Sequence, residues 1–524
     1  MSLLHKFSSS TSWVTVGLSL IQLFKACFSI FTVILSSIYF GTSLDRDVWL
    51  LSLSIMAIIG ALIFGPVYQI FRVKLIMIKE EEGEEKALKS IGSLLVYMML
   101  LSMLIILLAE IFPSLVSKIF DVNYTDEQQH FFKIMVRLIA PTLLFSVFTI
   151  MLSGVLNVYK TFYIPEVMSV LSIIINVVII LLFAPGYGIY SLIISSYLSN
   201  VIFIIVLLLA LKKNKIDLIK NLNLNFSYIM PFIKFALPFY LNYFIAQVLL
   251  VVERILSVLI GVGSVSVLDY ARKFSSIPID VIQGSGNAIL ATTLTEKYIT
   301  EGEISFILEV NKFMNLMLII LLPIVTIFVI CPVEIVNLFL LHGAFDPKFV
   351  LPTANSLFWF GFGVVSIIFF TANSYALMAQ VKNKNLVIIS GIIGFVILII
   401  NLLFYKKYGI QVLAFSWSIA HFIGGVFMYF IISFKEYKLL FKEFFRKMAL
   451  IFIVLIISLV IYNVLLTFFT IENLMLKSLT TMVVVGVFSI TLELLFIYVL
   501  RFKEKIIIEN FIASYVFKDF NLRK

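Results

Sequence analysis

Residues 91–109 read IGSLLVYMMLLSMLIILLA, a stretch without a single charged side chain. A helix of that length is about 28 Å long, close to the thickness of the hydrocarbon core of a bilayer. Comparable apolar runs of roughly 20 to 28 residues recur along the chain, and their side chains do not alternate in polarity as barrel strands do. The sequence therefore predicts an all-α polytopic membrane protein.

The composition supports this prediction. Of the 524 residues, 62% are hydrophobic and only 13% are charged, and the mean hydropathy is +1.12. A water-soluble domain of this size needs far more polar surface, whereas lipid tails solvate apolar side chains directly. Lipid offers no partner to a free backbone amide, so the spanning segments must form helices that satisfy their own hydrogen bonds.

Fourteen spans are predicted, with no loop long enough for a separate soluble domain. They cover residues 13–40, 48–72, 91–117, 131–158, 165–184, 189–211, 231–259, 266–295, 305–331, 351–380, 386–404, 411–434, 449–470 and 478–500.

Basic residues indicate the orientation in the membrane. They concentrate in alternate loops, which include residues 72–89, 212–220 and 435–447 and the tail 501–524. The other loops hold only Arg46, Lys118, Lys348, Lys406, Lys407 and Lys477. Because basic residues favour the cytoplasmic face, both termini are predicted in the cytoplasm, which requires an even number of spans. Topology thus explains the net charge of +10, and no nucleic-acid partner is expected.

Three short matches recur at one offset of 221 residues. They pair Ile34-Leu35-Ser36 with Ile255-Leu256-Ser257, Leu181-Leu182-Phe183 with Leu402-Leu403-Phe404, and Tyr187-Gly188-Ile189 with Tyr408-Gly409-Ile410. Spans 1–6 and 7–12 then form two parallel repeats, an arrangement common in secondary transporters. The predicted organisation is an N-terminal lobe (1–222) and a C-terminal lobe (223–440) around a central cavity, followed by two further spans and a cytoplasmic tail (441–524).

Span 8 carries a polar stripe at membrane depth. Its polar residues recur every three or four positions and so share one helix face: Asp269, Arg272, Lys273, Ser276, Asp280, Gln283 and Asn287. Pro278 interrupts the hydrogen-bond ladder of this span and predicts a kink. A stripe of this length cannot face lipid, so it is predicted to line a partner helix or a wet cavity.

Two further residues join this candidate site. Lys25 lies in the middle of span 1, and Asp47 opens span 2 as the repeat mate of Asp269. The cationic side chains suit an anionic cargo, since arginine offers phosphate a bidentate fork and lysine a point charge. Glu110, Arg137, Glu334 and Glu493 lie near span ends, where pairing or snorkelling is expected, and His421 is expected to be packed and hydrogen-bonded.

Other chemistries find no support. No glycine-rich ATP loop, nucleophile elbow or histidine-rich spacing is present, so no catalytic residue, metal or cofactor is predicted. The two cysteines, Cys27 and Cys331, are far apart in apolar runs and are expected to be buried small hydrophobes.

An ordered set of motifs resembles the MurJ/MviN-like lipid II flippases of the multidrug/oligosaccharidyl-lipid/polysaccharide exporter superfamily. The set extends from about residue 20 to 430 and comprises Phe40-Gly41-Thr42-Ser43 with Asp47, Phe64-Gly65-Pro66-Val67-Tyr68, Leu152-Ser153-Gly154-Val155-Leu156-Asn157 with Phe162 and Pro165, Gly263 to Ala271 with Pro278, and His342-Gly343-Ala344-Phe345-Asp346. The resemblance implies alternating access in a two-lobed fold, and flipping of an undecaprenyl-pyrophosphate-linked glycan. It also implies that the membrane potential or a H⁺ or Na⁺ gradient drives the cycle.

The chain departs from the family pattern at several arginines. Thr32 stands at a family arginine, Lys25 falls one residue from another, and Lys273 occupies the arginine position of Tyr-Ala-Asp-Arg. The second span looks shortened, and the family's Arg-Arg pair after it is missing. A cavity with fewer arginines leaves a capsule, O-antigen or exopolysaccharide repeat unit open as a rival cargo to the peptidoglycan precursor.

Three other functions agree less well with the sequence than a flippase does. A cation-coupled multidrug antiporter would want an acidic cavity, whereas the deep charges here lean basic. A polysaccharide polymerase or ligase would want a large outer loop with arginines and histidines. A non-transporting scaffold would leave the polar stripe unexplained. The expected partners are the lipid-linked glycan, membrane lipids, and enzymes of cell-wall or polysaccharide synthesis.

Overall fold

The computed structural model describes residues 11–120, 124–433, 436–468 and 473–499, with side chains except those of 11–20, 116, 281–289, 291–292, 383 and 468. Every regular element in these ranges is helical. The α-helices are α1 Thr11–Phe40, α2 Leu44–Glu82, α3 Glu84–Ile111, α4 Pro113–Ser117, α5 Asp126–Ile139, α6 Thr142–Val158, α7 Tyr163–Tyr187, α8 Tyr190–Lys213, α9 Met230–Ala236, α10 Tyr240–Ile260, α11 Ser264–Thr300, α12 Glu303–Ile330, α13 Pro332–Phe339, α14 Val350–Ala379, α15 Asn383–Tyr408, α16 Gln411–Ile431, α17 Tyr437–Phe468 and α18 Leu474–Val499. Four short 3₁₀ turns lie between them, at Ile219–Asn221, Phe226–Tyr228, Leu237–Phe239 and Pro347–Phe349.

The all-α membrane fold is confirmed. Within the described ranges, thirteen helical segments are long and apolar enough to cross a membrane, and each coincides with a predicted span. The remaining predicted span is α11, which is 37 residues long but less apolar because of its polar stripe.

Large apolar side chains lie on the outside of these helices. Leu104, Leu108 and Leu182 are 52%, 49% and 69% exposed. Exposure of this kind is unfavourable in water but is what a bilayer solvates. Cys27 belongs to this surface, so the expectation that both cysteines are buried was wrong for Cys27 and confirmed for Cys331. A small apolar side chain has no need of burial where the solvent is lipid.

Local sequence explains where the helices end. Pro141 separates α5 from α6, and Pro238 lies in the 3₁₀ turn between α9 and α10, because proline cannot continue the hydrogen-bond ladder. The acidic stretch after residue 79 is the end of α2 and the start of α3, joined at Gly83, whose φ is +92°. Through Pro278, in contrast, α11 is assigned as one continuous helix.

Of the described residues, the first compact unit comprises 11–120, 124–269, 342–349 and 401–409. These residues form two apolar cores. One is formed by the second half of α2, the first half of α3, α6 and residues 207–236. The other is formed by the start of α2, α5, the end of α7 and the start of α8. The long helix α2 contributes to both cores.

Of the described residues, the second compact unit comprises 270–341, 350–400, 410–433, 436–468 and 473–499. In its described part α14 packs closely on α16. A Cβ at Gly425 would meet the backbone nitrogen of Phe370 at 2.8 Å, and Asn373 Nδ2 donates to the Gly425 carbonyl at 3.0 Å. Glycine is required at this crossing because any side chain would separate the two helices. The predicted division at residues 222 and 440 follows the repeat rather than these contacts, and it stays a prediction.

The matched turns of the two predicted repeats have the same local geometry. Gly188 and Gly409 both have positive φ, +53° and +69°. The Gly188 amide donates to the Ala184 carbonyl at 3.0 Å, and at the same offset the Gly409 amide donates to the Tyr405 carbonyl at 2.9 Å. The sequence match at these positions therefore reflects one turn that is used twice.

Candidate functional site

The first turn of α2 meets the start of α11 in the first unit. We call this contact the loop junction and define it as residues 41–47, 261–269 and 342–349. Ser43 begins α2 by accepting a hydrogen bond from the Arg46 amide, which places Arg46 and Asp47 on the first turn.

Asp47 is 2% exposed and caps the neighbouring helix rather than its own. Its carboxylate accepts hydrogen bonds from the Gly263 amide at 2.6 Å, the Ser266 amide at 2.8 Å and the Ser266 hydroxyl. The first amides of a helix have no partner within it, and the helix dipole favours a negative charge beside them. Asp47 therefore fixes the start of α11 against the start of α2.

Arg46, which precedes Asp47 on α2, is fully buried and forms an ion pair with a carboxylate of α11. Its Nη2 lies 2.7 Å from Asp269 Oδ2, and the Asp269 side chain is 13% exposed. Arg46 also donates from Nη1 to the Ser266 carbonyl at 3.3 Å and from Nε to the Ser36 hydroxyl at 3.2 Å. A buried guanidinium is tolerated only when it is paired and hydrogen-bonded in this manner.

Glycines allow the third segment to approach. A Cβ at Gly41 would lie 1.9 Å from the Ala344 carbonyl oxygen, and one at Gly343 would lie 2.2 Å from the Ile38 carbonyl oxygen. The Ala344 amide donates to that Ile38 carbonyl at 2.8 Å. The Gly41 and Gly343 motifs noted in the sequence therefore serve one packed contact in which backbone lies against backbone.

The two cations of the stripe follow one turn later on α11 and belong to the second unit. The Arg272 guanidinium lies 5.2 Å from the centre of the Phe360 ring, in a cation–π contact. Arg272 and Lys273 are both half-buried. A ring face can orient a cation while leaving its N–H donors able to bind an anion.

The rest of the stripe is only partly described. The Ser276 hydroxyl donates back to the Lys273 carbonyl at 3.2 Å, and Asp280 is exposed. Gln283 and Asn287 lie on α11, but their side chains fall outside the described residues. Binding of cargo by the stripe stays a prediction.

Lys25 is half-buried on α1. One turn before it, Gln22 Nε2 donates to Glu166 Oε2 of α7 at 2.9 Å. Within the first unit, a polar side chain of α1 thus meets a carboxylate of α7 one turn before Lys25.

Three of the charged residues near span ends, Arg137, Glu110 and Glu334, have local partners, as expected. Glu493 differs from this expectation, because it is 2% exposed and its Oε1 has no hydrogen-bond partner among the described residues. Arg137 Nε donates to the Glu110 carbonyl at 3.1 Å and lies 3.9 Å from its carboxylate. Glu334 accepts a hydrogen bond from the Tyr462 hydroxyl at 2.7 Å. His421 is hydrogen-bonded to the Trp417 carbonyl at 2.7 Å and packs on that ring, which confirms its expected packed role.

Lys447 was assigned by the sequence to a cytoplasmic loop, and this was wrong. It lies inside α17 and is fully buried. Its ammonium donates to Asn311 Oδ1 of α12, which also accepts from the Tyr429 hydroxyl of α16 at 2.7 Å. One lysine therefore ties α17 to two helices of the same unit, and only its position in space shows this.

No metal site is formed by the described side chains: no group of three or more histidine, cysteine, aspartate or glutamate residues among them could hold an ion. The geometry instead offers a closed polar contact at the start of α11 and half-buried cations one turn further on.

The sequence model of the family described as lipid II flippase MurJ matches residues 36–486. The chain belongs to this family. The relatives that match include two proteins described as probable lipid II flippase MurJ, from Buchnera aphidicola subsp. Schizaphis graminum and from Buchnera aphidicola subsp. Acyrthosiphon pisum. The first is 25% identical over 363 residues, covering 68% of this chain and 70% of the relative. The second is 23% identical over 372 residues, covering 70% and 72%.

Solved structures agree on the fold. A lipid II flippase MurJ in an inward closed conformation superposes with a TM-score of 0.72 at 20% identity, covering 93% of this chain and 99% of that one. An inward-facing multidrug transporter of the MATE family in the MOP superfamily gives a TM-score of 0.66 at 12% identity, covering 81% and 99%. The MurJ-like fold expected from the motifs is therefore confirmed.

Proposed function

We propose that this MurJ-family protein carries lipid II, an undecaprenyl-pyrophosphate-linked glycan, from the inner to the outer face of the cytoplasmic membrane. The observation that carries this proposal is the family match across residues 36–486, which includes the loop junction and the whole of the polar stripe. The protein is a multi-pass membrane protein, and the distribution of basic loops supports cytoplasmic termini.

Arg272 and Lys273 are proposed to bind the pyrophosphate. A pyrophosphate at membrane depth needs cationic donors that are held in place. Phe360 orients Arg272 from one side, and Lys273 adds a second cation next to it on α11. Lys25 is proposed to contribute a further cation to cargo binding from the first unit. Hydrogen-bonding groups for the cargo are proposed to come from Ser276, Asp280, Gln283 and Asn287 of α11.

Asp47 and Asp269 are proposed to act as positioning residues. The sequence predicts both for the binding surface, and their carboxylates lie in the loop junction. In the proposed orientation this junction is at the outer ends of the helices, where a transporter with alternating access must close and reopen. Asp47 and the Arg46–Asp269 pair would hold the closed form.

The cycle is proposed to use the membrane potential or a H⁺ or Na⁺ gradient. The chain contains no ATP-binding loop, and moving an anionic head group through a membrane potential is itself coupled to that potential. Enzymes of cell-wall synthesis are proposed as neighbours that supply and consume the lipid-linked glycan.

Complementation in cells tests the function. Bacteria depleted of their own lipid II flippase should survive when this chain is expressed, and Arg272→Ala and Lys273→Ala should each reduce survival. A Lys406→Ala/Lys407→Ala version removes two exposed lysines from the end of α15 and should rescue like the wild type. Absence of rescue by a well-expressed wild-type protein would reject lipid II as the cargo and favour another lipid-linked polysaccharide.

A further inference from the structure

A groove lies on the first unit where α8 ends. It has a volume of about 650 Å³ and is lined by Ile205, Leu208, Leu209, Leu211, Lys212, Lys215, Ile216, Asp217, Leu218 and Ile219. This volume falls within the range of sites that hold small organic ligands. Neither the loop junction nor the polar stripe contributes a residue to the groove.

The backbone turn after α8 creates this groove. The Ile216 amide donates to the Leu211 carbonyl at 3.0 Å, and Lys215 adopts a positive φ of +58°. This is the hydrogen-bond pattern of a Schellman cap, in which the chain reverses at a left-handed residue. Ile216 and Leu218 are thereby turned into an apolar core, where both are buried, and they form the floor of the groove.

The walls of the groove are apolar and exposed. Leu209 is 61% exposed and Ile219 is 73% exposed, while Ile205 and Leu208 are exposed beside them. Such side chains at the end of a membrane helix are solvated by acyl chains rather than by water.

The rim of the groove is basic. Lys212 and Lys215 line it, and residues 212–220 contain four lysines and one aspartate. That aspartate, Asp217, lies 3.1 Å from Lys220 Nζ, and the hydrogen bond from the Lys220 amide lowers the pKa of its carboxyl. Asp217 therefore stays ionised with Lys220 as its partner, and the exposed Lys212 and Lys215 give the rim its positive charge.

We propose that this groove binds an anionic glycerophospholipid, with an acyl chain along Ile205, Leu208 and Leu209 and the head-group phosphate on Lys212 and Lys215. Apolar walls beneath a basic rim at the water boundary match the two halves of such a lipid. In the proposed orientation the lipid is in the inner leaflet, and only this choice of leaflet rests on the proposed function.

Lipid retention tests the proposal on the full-length protein. The protein is reconstituted in bilayer discs with equal amounts of phosphatidylglycerol and phosphatidylcholine, released, and its retained lipids are counted by native mass spectrometry. The wild type should retain phosphatidylglycerol preferentially. Equal retention of the two lipids would overturn the proposal.

Two variants and a matched control locate the effect. Each lysine near an anionic membrane surface contributes about 1 kcal/mol, so Lys212→Gln/Lys215→Gln should lower the preference by about thirtyfold at low salt. Leu209→Trp, which fills the groove without changing its charge, should lower phosphatidylglycerol retention by about tenfold. Lys406→Gln/Lys407→Gln removes the same charge from another exposed helix end and should change nothing.

The outcomes separate a lipid from a free phosphate. Inorganic phosphate at millimolar concentration should not displace the retained lipid. Displacement by phosphate, or an unchanged retention in Leu209→Trp, would reduce the groove to a phosphate site and overturn the lipid assignment. An equal loss in the Lys406/Lys407 control would show a general charge effect and overturn it as well. All of these readings are independent of whether the chain flips lipid II.

Discussion

Two consecutive turns of α11 use their charged side chains in opposite ways. At the first, Asp269 pairs with the fully buried Arg46, and Asp47 caps the helix start. At the next, Arg272 and Lys273 are half-buried, and Arg272 rests on the Phe360 ring. The difference teaches that charge at membrane depth does not by itself mark a binding site. The ion pair of the first turn fixes the loop junction, whereas an arginine that lies on a ring face is oriented in a way that suits binding of a phosphate.

The largest expected effect is on transport and comes from substitution of Arg272 and Lys273, on the second of these two turns of α11. Arg272→Gln/Lys273→Gln should lower the initial rate of lipid II translocation by about a hundredfold or more, because two charge-assisted contacts to the pyrophosphate are removed. Thermal unfolding in detergent is measured on the same variant, so that a loss of stability is distinguished from a loss of transport. If the rate is unaffected while the Lys406→Gln/Lys407→Gln control also behaves normally, these cations do not bind the cargo.

The next largest effect is on stability and comes from breaking the ion pair between Arg46 and Asp269, on the first of these two turns. Arg46→Met leaves the Asp269 carboxylate without its guanidinium partner and should lower the free energy of unfolding by about 3–5 kcal/mol. Adding Asp269→Leu should restore most of this loss, because an apolar pair of similar volume is tolerated where one isolated charge is not. A double variant as unstable as Arg46→Met alone would mean that the ion pair is not the source of the loss.

Two glycines with nearly the same φ allow backbone strain to be separated from close packing at the loop junction. Gly41 and Gly188 have φ of +51° and +53°, but only at Gly41 would a Cβ strike another backbone. Both alanine variants incur left-handed strain of about 1–2 kcal/mol, and Gly41→Ala should cost at least about 2 kcal/mol more because it forces the junction apart. Equal melting temperatures of Gly41→Ala and Gly188→Ala would contradict close packing at the junction.

A smaller effect is expected at the helix cap. Asp47→Asn keeps the shape of the side chain but removes the negative charge beside the first amides of α11. The free energy of unfolding should therefore fall by about 1–2 kcal/mol. The neighbouring Asp45 is exposed and serves as the control, with Asp45→Asn expected to lie within about 0.5 kcal/mol of the wild type. A loss at Asp45 as large as at Asp47 would show that charge on the first turn of α2, rather than the cap, matters.

Hydropathy and spacing predicted the membrane helices because the bilayer leaves so few alternatives. Each apolar run of sufficient length became a helix, and the recurring Tyr-Gly-Ile turn at residues 187 and 408 kept the same positive φ at its glycine. Helix ends were predicted less well, since α2 continues to Glu82 after leaving its apolar run. Polar residues can extend a helix into water at no cost, so hydropathy does not mark where it stops.

The sequence predicted the polar stripe of α11 but not which of its charges are paired within the protein. The polar stripe identified α11, but the sequence did not indicate that Asp47 and Asp269 would contact residues of the loop junction. The sequence predicts both Arg46 and Lys447 to be loop cations, whereas the structure shows both side chains fully buried and paired. Whether a charge is paired depends on contacts between residues more than 100 positions apart, which spacing within one helix does not encode.

Translocation in proteoliposomes tests the central claim most directly. Fluorescent lipid II is placed in the inner leaflet, a membrane potential is applied, and its arrival outside is followed by accessibility to an enzyme that cleaves the pyrophosphate. We predict rapid arrival with the wild type, arrival about a hundredfold slower or more with Arg272→Gln/Lys273→Gln, and no difference for Lys406→Gln/Lys407→Gln. Lipid II that stays inside with correctly inserted wild-type protein, while another lipid-linked glycan crosses, would contradict the account.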